Sequence, residues 1–163
     1  YYETRDTGAM VTHAITVKGS ELGQLLADAI KWIENRDFSL GDGELIAIAV
    51  GKKDAAPDEV TKLQEMMPPG APPITSDAAL LGHIIGVVRI SHTLQSEQCT
   101  TLPWADTRWK KCNVISEAAR LSTPIPASGK LGKWKLPDGV REMLNQQLDG
   151  LEYVPTLASQ HLQ

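Results

Sequence analysis

An α+β domain is the fold class this sequence predicts, on three observations. Short apolar or β-branched runs alternate with stretches of helical spacing, and glycine- or proline-rich turns separate the two kinds. The composition, 42% hydrophobic and 22% charged over 163 residues, suits one globular core. The domain is expected over residues 12–150, with an N-terminal extension at 1–11 and a C-terminal tail at 151–163.

The first element is a strand at His13-Ala14-Ile15-Thr16-Val17, which alternates and ends at Lys18-Gly19. Ser20 reads as an N-cap, with Glu21 in the first turn and Leu22, Leu25, Leu26 and Ala29 at helical spacing behind it. Lys31 to Arg36 alternates strictly. In a strand, Lys31 would therefore face away from Glu34 and Arg36, and bringing the three together requires a turn or bulge near them. After Gly41-Asp42-Gly43, the wholly apolar run Leu45 to Val50 reads as a buried strand. Pro57 with Asp58 and Glu59 opens a helix carrying Val60, Leu63, Met66 and Met67 on one face.

Four prolines and a glycine between Met67 and Thr75 predict a surface excursion. Leu80 to Leu94 reads as one long strand in which Gly82 and Gly86 allow close packing or a bulge. Further strands are expected at Cys112–Leu121 and Gly132–Leu136, then a helix from Pro137 to Gly150 and an extended or frayed tail from Tyr153. The core is expected around Ile15, Val17, Ile46, Ile48, Val50, Ile85 and Val87.

The net charge is −4, which excludes a generally polyanion-seeking protein. The balance is uneven, however. Residues 104–135 carry seven basic side chains against Asp106 and Glu117, a pattern compatible with a local nucleic-acid footprint. Cys99 and Cys112 lack metal-ligand spacing and read as reduced thiols, the four histidines are scattered, and neither a metal nor a cofactor is expected. No apolar run reaches the roughly 18 residues of a membrane span, and the first residues lack the pattern of a signal peptide. The expectation is a monomer in the cytoplasm or nucleus.

Four segments in order carry a family resemblance. They are Ala29-Ile30-Lys31-Trp32-Ile33-Glu34-Asn35-Arg36, the strand closing at Gly51-Lys52-Lys53, the run Leu81 to Val88, and Thr123-Pro124-Ile125-Pro126 with Gly129-Lys130 and Trp134. Together they resemble the ASCH (activating signal cointegrator homology) family, whose core pattern is G-x-K-x-x-E-x-R. The resemblance implies a PUA-like mixed β-barrel with flanking helices, related to PUA and YTH domains, and a cleft that accepts nucleic acid or a base. Two departures stand out. Ser20-Glu21-Leu22-Gly23 replaces the family's Q-P-W-A, removing the usual aromatic wall for which Trp32 or Trp104 could substitute, and Ala29 replaces the motif glycine.

The candidate nucleic-acid contacts are Lys31, Arg36, Lys52, Lys53, Lys130 and Lys133, which suit phosphate, and Trp134, which suits stacking on a base. Trp104 and Trp109, near Arg108 and Lys110, are further candidates for stacking or for the core. The leading expectation is a module that binds RNA or a nucleotide. The alternatives are a small hydrolase of a modified nucleoside or RNA and a protein-interaction adaptor. The amidohydrolases within the resemblance carry a threonine nucleophile three residues after the lysine, where this chain has Glu34, so Lys31 with Glu34 as general base are the candidate catalytic pair.

Overall fold

A computed structural model describes residues 10–162. Seven strands form one mixed sheet: β1 His13–Val17, β2 Ile33–Arg36, β3 Leu45–Val50, β4 His83–Gln95, β5 Lys111–Pro126, β6 Lys133–Lys135 and β7 Val154–Pro155. The helices are α1 Ser20–Ala27, α2 Pro57–Met66, α3 Asp138–Gln147 and α4 Ala158–His161. The strand order is β2-β5-β4-β3-β1-β6, with β7 on β5. β1 and β3 run parallel, and the other pairs are antiparallel.

The α+β class therefore stands. The barrel expected from the resemblance does not appear, because the sheet is open and β2 and β6 end the strand order without pairing to each other among the described residues. The sheet nonetheless curls. The Arg36 guanidinium on β2 reaches the Thr16 carbonyl on β1 at 3.1 Å, although three strands separate β2 from β1 in the hydrogen-bonded order.

β3 is buried along its whole length because it packs on both faces. Ile46, Ile48 and Val50 join Ile15, Val17, Ile85 and Val88 beneath α1, while Ala47 and Ala49 join Ile84, Val87, Trp134 and Leu144 on the α3 side. Val87 thus lies across the sheet from the other expected core residues. A register shift in β4 between Ile84 and Gly86 moves the alternation by one, so that Ile85 and Val88 share a face. Gly86 is required at that bulge, since a Cβ there would stand 2.6 Å from Ala27 Cβ and 2.7 Å from the Ala119 carbonyl oxygen.

Several local expectations change. Ser20 begins α1 but does not cap it; its hydroxyl accepts the Asp77 N–H at 2.9 Å, pinning the end of the proline-rich surface excursion. Cys99 and Cys112 are joined in a disulfide rather than reduced, because the turns after residues 96–98 fold the chain back against the start of β5. The tail does not fray. β7 pairs with β5, Thr156 is buried with its hydroxyl donating to the Ile115 carbonyl, and His161 stacks on Trp32 with ring centroids 5.3 Å apart. Residues 1–9 of the expected extension lie outside the described residues. No helix among the described residues is long and apolar enough to cross a membrane.

Ala29, where the resemblance has glycine, adopts a φ of 64°. An L-residue pays roughly 1–2 kcal/mol in that left-handed region, against about 0.4–1 kcal/mol of extra unfolded-state freedom for glycine. Ala29→Gly should therefore raise stability by about 1 kcal/mol or less in denaturant unfolding, and a loss of stability would refute the assigned backbone. Gly86→Ala should lower stability by about 1–3 kcal/mol in the same assay through overpacking against Ala27 and β5.

Candidate functional site

The turn at Ala29 sets the geometry of the site. The N–H groups of Ile30 and Lys31 both donate to the Leu25 carbonyl at 3.0 Å, so the chain reverses tightly at the end of α1 and β2 begins only at Ile33. Lys31 thus precedes the strand and escapes its alternation. Its ammonium donates to the Ile33 carbonyl and lies 3.6 Å from Glu34 Oε1, while Arg36 Nε donates to Glu34 Oε2 at 2.9 Å. Lys31 and Glu34 are 5% and 6% exposed, so one buried carboxylate is held between two cations. Burial pushes the Lys31 ammonium below the usual lysine range, and Glu34 partly offsets this.

These residues form the floor of an open cleft of about 630 Å³, within the range of small-ligand sites. One wall is Thr16 of β1 with Lys18 just after it, the second is α2 with Asp58, Glu59 and Lys62, and the third is the 99–110 loop with Asp106, Arg108 and Trp109. The loop is held at several points. The Asn35 side chain accepts from the Asp106 N–H at 2.9 Å and donates to the Trp104 carbonyl at 2.9 Å, and the Cys99–Cys112 bridge closes the loop's base. Arg108 grips Asp106 through both carboxylate oxygens, which holds that carboxyl below its usual range. Glu59 is likewise held low, first by the Ala56 N–H and then by Lys18.

Of the residues expected from sequence, the structure gathers Lys31, Glu34 and Arg36 here and places the others elsewhere. Lys52, Lys130 and Trp134 border a second hollow, Lys53 is exposed on the turn after β3, and Lys133 pairs with Glu44 at 2.9 Å. Trp134 is buried, with Nε1 donating to Thr16 Oγ1 at 2.9 Å, and so presents no open face for stacking. Trp32 and Trp104, the expected substitutes for the missing aromatic wall, are 1% and 5% exposed in the cluster beneath the cleft. Trp109, 42% exposed, supplies the cleft's aromatic surface instead. Its signal in the sequence was its place in the basic 104–135 segment beside Arg108. Lys18, Asp58, Glu59, Lys62 and Asp106 carried no comparable signal.

The five basic and four acidic residues lining the cleft nearly balance. Such a site takes a ligand unit of low charge more readily than a long run of phosphates. Among the described residues, two of the five Arg36 N–H donors go to Glu34 and Thr16, and its others have no partner there. Compared with known proteins, the chain matches no family model and no curated protein.

A pH dependence follows from Lys31. Its folded-state pKa is depressed below the unfolded value of about 10.4, so below that pH the unfolded chain binds more protons. The burial cost is full below the folded-state pKa and shrinks as pH climbs from there toward the unfolded value. The stability of the wild type minus that of Lys31→Met should therefore rise with pH in the alkaline range. A flat difference would show that Lys31 titrates in the folded protein like an exposed lysine, and a falling one that the attraction of Glu34 outweighs burial.

Proposed function

We propose that this chain is an RNA- or nucleotide-binding module of the ASCH-like, PUA-like kind, and that the cleft over Lys31, Glu34 and Arg36 takes one nucleobase with its adjoining phosphate. The observation that carries this is the half-open indole of Trp109 beside Arg108, lining the same cleft as the buried ion-pair cluster. An indole gives a stacking face for any base, Arg36 offers directed donors, and Lys18, Lys62 and Arg108 lie where a phosphate can be met. The four ordered motif segments and the curled sheet support the PUA-like reading of the fold, with Arg36 crossing where a barrel would have a backbone ladder. The reading carries with it a monomer acting in the cytoplasm or nucleus, compartments in which a bridge such as Cys99–Cys112 is uncommon.

One observation favours the hydrolase alternative. Lys31 is a buried amine of lowered pKa next to a carboxylate in a cleft, an arrangement that catalytic sites use. Against it, both Glu34 oxygens are engaged by cations, which suits a positioning role better than activation of water.

The test is a titration with single-stranded RNA, hairpin RNA, duplex DNA and free modified nucleosides at two salt concentrations. Trp109→Ala should weaken RNA binding by about 1–3 kcal/mol for the stacked base. Lys62→Ala with Arg108→Ala should flatten the salt dependence and weaken all RNA sequences alike. If the wild type binds none of these ligands at low salt but hydrolyses a nucleoside amide or phosphodiester, and Glu34→Gln abolishes that turnover with the fold intact, the hydrolase reading replaces this one.

A further inference from the structure

Beside the cleft stands a feature that the proposed function does not use. Leu131 is 99% exposed, at the tip of the turn between β5 and β6, with Lys130 before it and Gly132, at a φ of 70°, after it. A leucine this open is not part of the core, and the turn that presents it is firmly rooted. Thr16 Oγ1 donates to the Lys130 carbonyl at 2.9 Å and accepts from the Lys130 N–H at 3.1 Å and from Trp134 Nε1 at 2.9 Å, which fills the capacity of a hydroxyl. Gly129 lies so close to Thr16 that an added Cβ would be 2.6 Å from its side-chain atoms. Lys133 is tied to Glu44 at 2.9 Å. The result is a short finger with a fixed base and one projecting apolar side chain.

Thr16 also lines the cleft, and its carbonyl accepts from Arg36, so a single residue of β1 joins the finger's root to the wall of the site. An apolar side chain carried on a rigid support with a lysine beside it has the form of a wedge that enters between stacked bases while the cation meets the flanking phosphate. A base unstacked at that step is then free to move toward the indole of Trp109. We infer that Leu131 is an intercalating wedge, and that the ligand class of this site is base-paired RNA, a stem from which one base is displaced into the cleft. The inference rests on the reading that the cleft takes a base. A lone leucine buries too little area to hold a lipid surface by itself, which favours nucleic acid over a membrane as the partner.

The experiment compares the intact wild-type chain with Leu131→Ser and Leu131→Phe, a pair chosen because a side chain this exposed can change without touching the fold. The probes are a hairpin RNA with 2-aminopurine in its stem, an unpaired RNA of the same composition, and vesicles of phosphatidylserine and phosphatidylcholine. The expected result is that wild type raises the 2-aminopurine fluorescence of the stem. Leu131→Ser should lose that rise and about tenfold in hairpin affinity while keeping its affinity for the unpaired strand, and Leu131→Phe should restore both. If Leu131→Ser binds and unstacks the hairpin as wild type does, while Trp109→Ala weakens both RNAs, the wedge is refuted and the cleft reading stands. If wild type binds neither RNA, the cleft reading fails and the wedge fails with it. Vesicle binding that depends on Leu131, with RNA binding unchanged, overturns the inference in favour of a lipid surface.

Discussion

The structure depends on one buried carboxylate. Glu34 sits between the Lys31 ammonium and the Arg36 guanidinium, almost out of water, at the edge where β2 begins. Burying three charges is costly, and continuum reasoning gives no net stability from such a cluster, whereas removing one member leaves an uncompensated charge that costs about 3–5 kcal/mol. The cluster is therefore better explained by what it positions. Arg36 continues from Glu34 to the Thr16 carbonyl, spanning two strands that the backbone ladder does not join. Thr16 in turn holds the 128–134 turn through its hydroxyl. A chain of polar contacts from Lys31 to Lys130 thus sets the curl of the sheet, the floor of the cleft and the finger beside it.

Much of this was legible in the residues. The strand over Leu45–Val50 could be read because an apolar run too short for a helix and flanked by glycines has few other fates, and β1, β4 and α2 followed from periodicity and proline placement. The convergence of Lys31 with Glu34 and Arg36 was legible only as a requirement for a turn. Ala29 meets that requirement with a left-handed backbone, a conformation in which glycine is the residue expected.

Other parts depended on long-range packing that periodicity does not encode. The Cys99–Cys112 bridge needs the loop after residues 96–98 to return to the start of β5, and a separation of 13 residues says nothing of that path. The tail is aperiodic, yet Thr156 and His161 find partners on β5 and Trp32. The four tryptophans are alike in sequence, and only the packing separates three buried indoles from Trp109. Lys130 and Lys133 read as a phosphate-binding pair, but Lys133 pairs with Glu44 and Lys130 faces a different hollow from Lys31.

The cleft's near balance of charge, with a buried polar floor and a single exposed indole, argues for a site that selects the shape and stacking of one unit rather than the charge of a long strand. The indole N–H signals of Trp32, Trp104, Trp109 and Trp134 in a nitrogen-correlated proton spectrum, followed while RNA is added, test this most directly. The account predicts that the Trp109 signal moves early and furthest, with the three buried indoles nearly still. RNA that binds while Trp109 stays fixed and another indole moves would contradict it.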